Sequence, residues 1–212
     1  MKTIHKIAVL GGAGKSGQYL VKMLIKKGIS IKLLLRSPEK LQIQNPLIEI
    51  IKGNARDFDS IHTLLDGCDA LISTLGQSKD EVGTYRDVSE NIIKAMHQLN
   101  LNRYIMVTGL NVDTPFDAKG PQTLAATNWM KANFREAVLQ RQEEYEILSK
   151  CNLNWTVVRV PMIIQTDETG AIESNLVDCS SDTINAYDLA SFLIAQVYSP
   201  VYVKKAPFVA TL

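Results

Sequence analysis

Seven residues near the start of the chain, Gly11-Gly12-Ala13-Gly14-Lys15-Ser16-Gly17, have types and a spacing that can hold a diphosphate. The glycines recur as GxxGxxG. Gly11 permits a tight turn, Gly14 lets the backbone approach a ligand with no Cβ in the way, and Gly17 lets a following helix pack closely. A helix that opens there aims free N–H groups and a partial positive charge at the phosphates. The context is right: the apolar run Lys6–Leu10 precedes the turn, and an amphipathic stretch, Gly17–Lys27, follows it. The turn reads as a dinucleotide phosphate site; the plain alternative is a strand–helix turn with no ligand. Gly14-Lys15-Ser16 also ends like the phosphate loop of nucleotide hydrolases. That motif needs a glycine five residues before Gly14, and Val9 stands there.

In NAD sites an acidic residue about 20 positions beyond the turn holds the ribose 2′-hydroxyl. Here the corresponding segment reads Leu35-Arg36-Ser37. A carboxylate would repel a 2′-phosphate, whereas the planar fork of Arg36 can pair with one and Ser37 can add a hydroxyl donor. Lys15 carries charge of the same sign. The pattern predicts NADP(H) in preference to NAD(H). The plain alternative for Arg36 is a solvated surface side chain.

Other chemistry is thinly represented. Cys68, Cys151 and Cys179 are far apart, odd in number and form no CxxC pair. Three free thiols in a reducing cytosol is the simplest reading, so a cytoplasmic location is expected. His5, His62 and His97 have no metal partner at usable spacing, so no metal site is predicted. Lys plus Arg number 23 and Asp plus Glu 22, a net charge of +1 that offers no field for nucleic acid or an anionic membrane. No apolar run reaches the ~20 residues that span a bilayer, and Met1–Lys6 lacks the layout of a signal peptide.

The elements that must position these residues alternate along the chain. Apolar runs at Lys6–Leu10, Ile29–Leu35, Leu47–Ile51, Asp69–Leu75, Arg103–Val107 and Trp155–Val160 predict buried parallel strands, and Pro207–Ala210 a last short one. Helical spacing predicts Gly17–Lys27, Phe58–Leu65 with Asp57 as its N-cap, Tyr85–Leu99, Ala125–Lys150 and Ala186–Tyr198. Pro38 starts a short helical piece, Gly109–Gln122 reads as a long loop, and Pro161–Thr183 reads as irregular with room for a short hairpin. With 212 residues, 46% apolar and 21% charged, the chain suits one domain. The expected fold is α/β: a doubly wound parallel sheet of Rossmann type in one compact domain over residues 1–212.

The turn, Arg36, Gly53-Asn54-Ala55-Arg56-Asp57, the Leu71–Gly76 strand end and Trp155-Thr156-Val157-Val158-Arg159-Val160-Pro161 occur in one order. That set resembles the atypical short-chain dehydrogenase/reductases, above all the small flavin reductase/biliverdin reductase B group and the nitrogen-regulator-like proteins. The likeness extends over nearly the full length, to Ile184-Asn185-Ala186-Tyr187-Asp188-Leu189-Ala190 and Lys205-Ala206-Pro207-Phe208. It implies that Asn54 and Ala55 stand beside the adenine, and that Thr74, Leu75 and Gly76 pass the ribose and nicotinamide side. It also implies that Thr108 and Gly109 lie beside the nicotinamide, and that Pro161, Met162 and Ile163 wall its pocket. Taken singly, Asn54 could be a turn residue and Pro161 a strand terminator.

Many of these enzymes use a Tyr-x-x-x-Lys pair as proton donor and pKa-lowering partner. This chain departs from them: Tyr145 is followed at the needed position by Ser149, with Lys150 one residue late. Tyr145 therefore reads as a helix residue packing on the sheet. Where the flavin reductase type has Thr-Ser after strand five, this chain has Thr108-Gly109. Thr108 is the one candidate catalytic hydroxyl there; it orients a substrate carbonyl or merely closes the strand. Hydride transfer needs mainly proximity and orientation from the protein. The expectation is an NADPH-dependent reductase of a small planar acceptor such as a flavin or quinone. The loops Gln77–Thr84, Gly109–Gln122 and Met162–Thr183 would build its pocket, with residues 109–122 and 162–183 as covers. The alternative is a non-enzymatic NADP(H) sensor that binds a protein partner. A monomer or homodimer is expected, without nucleic-acid or membrane partners.

Overall fold

Each short apolar run becomes a strand because neighbouring amphipathic helices cover both of its faces. A computed structural model describes residues 4–76 and 84–212. The strands are β1 (Lys6–Leu10), β2 (Ser30–Leu35), β3 (Ile48–Lys52), β4 (Ala70–Ser73), β5 (Arg103–Gly109), β6 (Asn154–Val160), β7 (Met162–Ile164), β8 (Ile172–Asn175), β9 (Thr183–Asn185) and β10 (Phe208–Thr211). Eight of them form one sheet in the order β3-β2-β1-β4-β5-β6-β10-β8, and β7 pairs with β9 separately. Every pairing in the large sheet is parallel except β10 with β8.

The helices are α1 (Gly17–Lys26), α2 (Phe58–Leu65), α3 (Thr84–Gln98), α4 (Pro121–Asn133), α5 (Arg135–Lys150) and α6 (Ala186–Tyr198). Alternate residues of β1 show the two layers. Ile7 and Val9 pack with Leu20 and Leu24 of α1 and Leu189 and Leu193 of α6. Ala8 and Leu10 pack with Ile61 and Leu64 of α2, Ile92 of α3 and Leu148 of α5. This is the doubly wound arrangement expected from the sequence. Strand order reverses between β1 and β4, which opens a crevice at the carboxyl ends of these strands.

Helix starts follow local chemistry. The Asp57 carboxylate caps α2 by accepting from the Ser60 N–H at 2.9 Å. Lys32, buried in β2, reaches the carboxyl end of the same helix and donates to the carbonyls of Thr63 and Asp66 at 3.1 and 2.9 Å. A cation there complements the helix dipole.

Three expectations are corrected. The single helix over Ala125–Lys150 is two helices that meet at Phe134, whose φ of −138° and ψ of 44° leave helical geometry. The Asn133 amide donates to the Trp129 carbonyl at 2.8 Å, a local bond that competes with helix continuation. The loop after β5 ends at Gly120, because Pro121 stands in the first turn of α4, where it has no hydrogen bond to lose. The stretch Pro161–Thr183 holds two short strands, β7 and β8; β7 pairs in parallel with β9, which begins at Thr183, and β8 pairs with β10, so neither closes a hairpin within the stretch. Of the expected loop Gln77–Thr84, residues 77–83 lie outside the described residues, and Thr84 opens α3.

Candidate functional site

The glycine turn leaves β1 at the switch point of the sheet. Gly11 has φ +76°, and a Cβ on it would meet the Thr74 carbonyl at 2.7 Å and the Leu75 nitrogen at 2.8 Å. Only glycine lets the turn lie this close to the end of β4. The Gly14 N–H closes the turn onto the Gly11 carbonyl at 2.9 Å, and Gln18 N–H bonds the Gly14 carbonyl at 3.0 Å. A Cβ on Gly17 would stand 2.1 Å from that same Gly11 oxygen, so helix and turn touch through bare backbone. Gly14 and Lys15 are exposed, and no acidic side chain occupies the first turn of α1. The cradle is therefore open on the side where a diphosphate would meet the helix N-terminus, and its charge suits one. Gly12, Ala13 and Ser16 complete the turn between Gly11 and Gly17.

The neighbouring strand ends bring further residues to the same edge. Arg36 and Ser37 follow β2 directly beside the turn, Arg36 exposed and Ser37 half-buried. Asn54 and Ala55 follow β3. The Asn54 side-chain oxygen accepts from the Arg56 N–H at 3.1 Å, and its carbonyl accepts from Asp57 N–H at 2.9 Å. Asn54 is thus a turn residue. Thr74 is buried and doubly tied to the Leu10 carbonyl, by its N–H at 2.9 Å and its hydroxyl at 3.1 Å. Leu75 and Gly76 continue outward from it.

On the other side of the crevice, Thr108 and Gly109 end β5 in register with Arg159 and Val160 of β6. Thr108 is 4% exposed, and its hydroxyl has no hydrogen-bond partner among the described residues. Pro161 follows β6; Ile163 is half-buried and Met162 is 70% exposed.

Two buried polar clusters at this edge escaped the sequence reading. In the first, Arg159 is fully buried. Its guanidinium lies 3.5 Å from the centre of the Phe208 ring and donates to the Asp117 carboxylate at 2.7 and 2.8 Å and to the Ala206 carbonyl at 2.9 Å. Lys119 extends the cluster to the Leu110 carbonyl at 2.7 Å and Asp113 at 2.6 Å. These bonds tie the segment after β5 to the core, and Leu110, Asn111 and Val112 are buried. In the second, Arg141 of α5 donates to the Leu75 carbonyl and to Glu144, and stacks 3.5 Å from the centre of the Tyr85 ring. Glu144 also accepts from the Ser89 hydroxyl at 2.9 Å. A Trp-Thr-Val-Val-Arg-Val run signals a buried strand, and the arginine inside it was the one local sign of an inward charge. Arg141 carried no such sign.

Other candidates recede. Tyr145 meets Trp155 edge-on at 6.0 Å, the packing role expected of it. Burial pushes the Cys68 thiol up to about 12 and raises Cys179 as well, which disfavours the reactive thiolate. Among the described residues no group of three His, Cys, Asp or Glu could hold a metal, and no helix is long and apolar enough to cross a membrane.

The fold has close structural relatives. A short-chain dehydrogenase/reductase from Veillonella parvula DSM 2008 superposes with a TM-score of 0.83 at 17% identity, covering 99% of this chain and 95% of that one. A wide-type short-chain dehydrogenase/reductase from the same organism, solved in complex with NADP, gives 0.80 at 17% identity, covering 98% and 95%. At such identity the likeness shows the fold alone. Cinnamoyl-CoA reductase 1 of Petunia hybrida is 22% identical over 146 residues, 60% of this chain. The chain spans less than half the length of that relative, 42%. A family model described as NAD(P)H-binding matches residues 11–200, and the chain belongs to that NAD(P)H-binding family.

Proposed function

We propose that the protein is an NADPH-dependent reductase of a small planar acceptor, a flavin, a quinone or a similar ring. The Thr108 hydroxyl carries this reading. A buried hydroxyl without a partner costs about 1–3 kcal/mol. This one lies at the end of β5, on the carboxyl edge where ligands of open parallel sheets bind. An acceptor carbonyl there would give it a partner. NADPH, when bound, supplies a hydride, and water supplies the proton that completes reduction of the ring. The chain's own contribution is to hold both reactants: the glycine turn on the diphosphate, Arg36 on the 2′-phosphate, and Thr108 on the acceptor.

Steady-state oxidation of NADPH with a panel of free flavins and quinones tests the reaction. Turnover with at least one is expected; tight NADPH binding with no turnover across the panel would overturn the reading. Cofactor choice is tested separately by titrating NADPH and NADH against the wild type and Arg36→Ala. Loss of a charge-assisted phosphate contact should cost NADPH about tenfold or more in affinity and NADH little. Unchanged selectivity would remove Arg36 from the site.

A further inference from the structure

Helix α5 precedes β6 and runs against the strand direction, so its first turns stand over the carboxyl edge of the sheet. It is fastened there on two sides. Arg141 donates to the Leu75 carbonyl beyond β4. Gln142 exchanges two hydrogen bonds with the Asp113 backbone beyond β5, at 2.9 and 3.1 Å. At this level Gln140 is 4% exposed. Its Nε2 donates to Glu136 Oε1, one turn earlier, at 3.0 Å. A carboxylate can only accept, so this contact fixes which end of the amide is nitrogen. The other end, Oε1, is buried and has no hydrogen-bond partner among the described residues. Gln140 Oε1 and the Thr108 hydroxyl are thus two orphaned groups, one in the first half of α5 and one at the end of β5.

We infer that Gln140 is a specificity-determining residue for the acceptor, and that Glu136 positions it; the inference rests on the reductase reading above. The two orphans differ in what they ask of a ligand. The Thr108 hydroxyl rotates and can donate to a carbonyl. Gln140 Oε1 can only accept, so it requires an N–H or O–H on the acceptor. An oxidised quinone presents carbonyl oxygens alone and would leave Oε1 unsatisfied. A ring with an imide or lactam edge places an N–H beside a carbonyl and satisfies both groups. A site built to bond such a hydrogen rejects the analogue that lacks it more strongly than size or shape alone would.

The test is an equilibrium titration of the full chain, saturated with NADP+, with riboflavin and with 3-methylriboflavin, followed by flavin fluorescence. Methylation removes the imide N–H and should weaken binding about tenfold in the wild type, the range of one buried hydrogen bond with its partner left unpaired. Gln140→Leu should bind the two flavins within about twofold, because the acceptor oxygen is gone. Gln140→Met, close in shape, gives the same reading where leucine impairs folding. Glu136→Leu frees the amide to turn and should shrink the ratio partway. Equal binding of both flavins by the wild type, a ratio that survives in Gln140→Leu, or no binding of either flavin would each overturn the inference. Turnover assays keep the two readings apart. Reduction of quinones and methylated flavins as readily as riboflavin sinks the role of Gln140 and leaves the reductase standing. The expected binding ratio without any turnover does the reverse.

Discussion

At the carboxyl edge of β1 the chain works with bare backbone; at the edges of β5 and β6 it works with buried charge. Gly11 and Gly17 bring turn, helix and β4 within contact distances that no Cβ allows. Arg159 and Arg141 hold the other side together by reaching carbonyls and carboxylates on segments distant in sequence. The first device leaves the start of α1 open beside bare backbone. The second ties the segments after β4 and β5 to the body of the protein.

Breaking the charged side should have the largest effect. Asp117→Leu leaves the Arg159 guanidinium, which is 0% exposed, without its counter-charge. Uncompensated buried charges cost about 3–5 kcal/mol, so the urea midpoint should fall steeply. A loss within about 0.5 kcal/mol, the ordinary range for surface changes, would show that the carbonyls alone suffice. The backbone side should break next most severely. Gly17→Ala drives a methyl to 2.1 Å from the Gly11 oxygen. The turn must open, at about 1–3 kcal/mol typical of overpacking, and NADPH affinity should fall with stability. Wild-type affinity in this variant would mean that the turn is not the phosphate site. Thr108→Val sharpens the contrast, because its two effects should have opposite signs. Removing an unpaired buried hydroxyl should raise stability by about 1 kcal/mol, while acceptor turnover drops. A destabilised variant would mean that the hydroxyl has a partner in the free protein.

The same contrast explains what could be read from the sequence. Strands β1 to β6, the turn, the Asp57 cap and α6 follow from local pattern, since each depends on residues within one or two turns of itself. The partition of Ala125–Lys150 between α4 and α5 depends on Phe134 leaving helical geometry in a stretch with no proline or glycine. β7 and β8 were invisible because their partners, β9 and β10, follow at a distance and neither strand has a two-residue turn. Gln140 looked like one polar residue among many on a charged helix. Only the Glu136 contact and the lack of a partner for Oε1 single it out.

The position of β10 gives the molecule an order in time. Among the described residues strand β8 has β10 as its only neighbour in the sheet, and β10 slots between it and β6, joining Phe208 to Arg159 and Thr211 to Ile172. The pairings around the glycine turn, Lys6 with Ser30 and Ile31 with Ile48, close much shorter loops. Shorter closures cost less entropy and form sooner. A refolding chain should therefore possess the β1-β2-β3 half of its sheet before β10 seals the other half. Pulsed hydrogen exchange would show it as early protection at Ile31–Leu35 and late protection at Phe208–Thr211. Simultaneous protection of both would contradict that order.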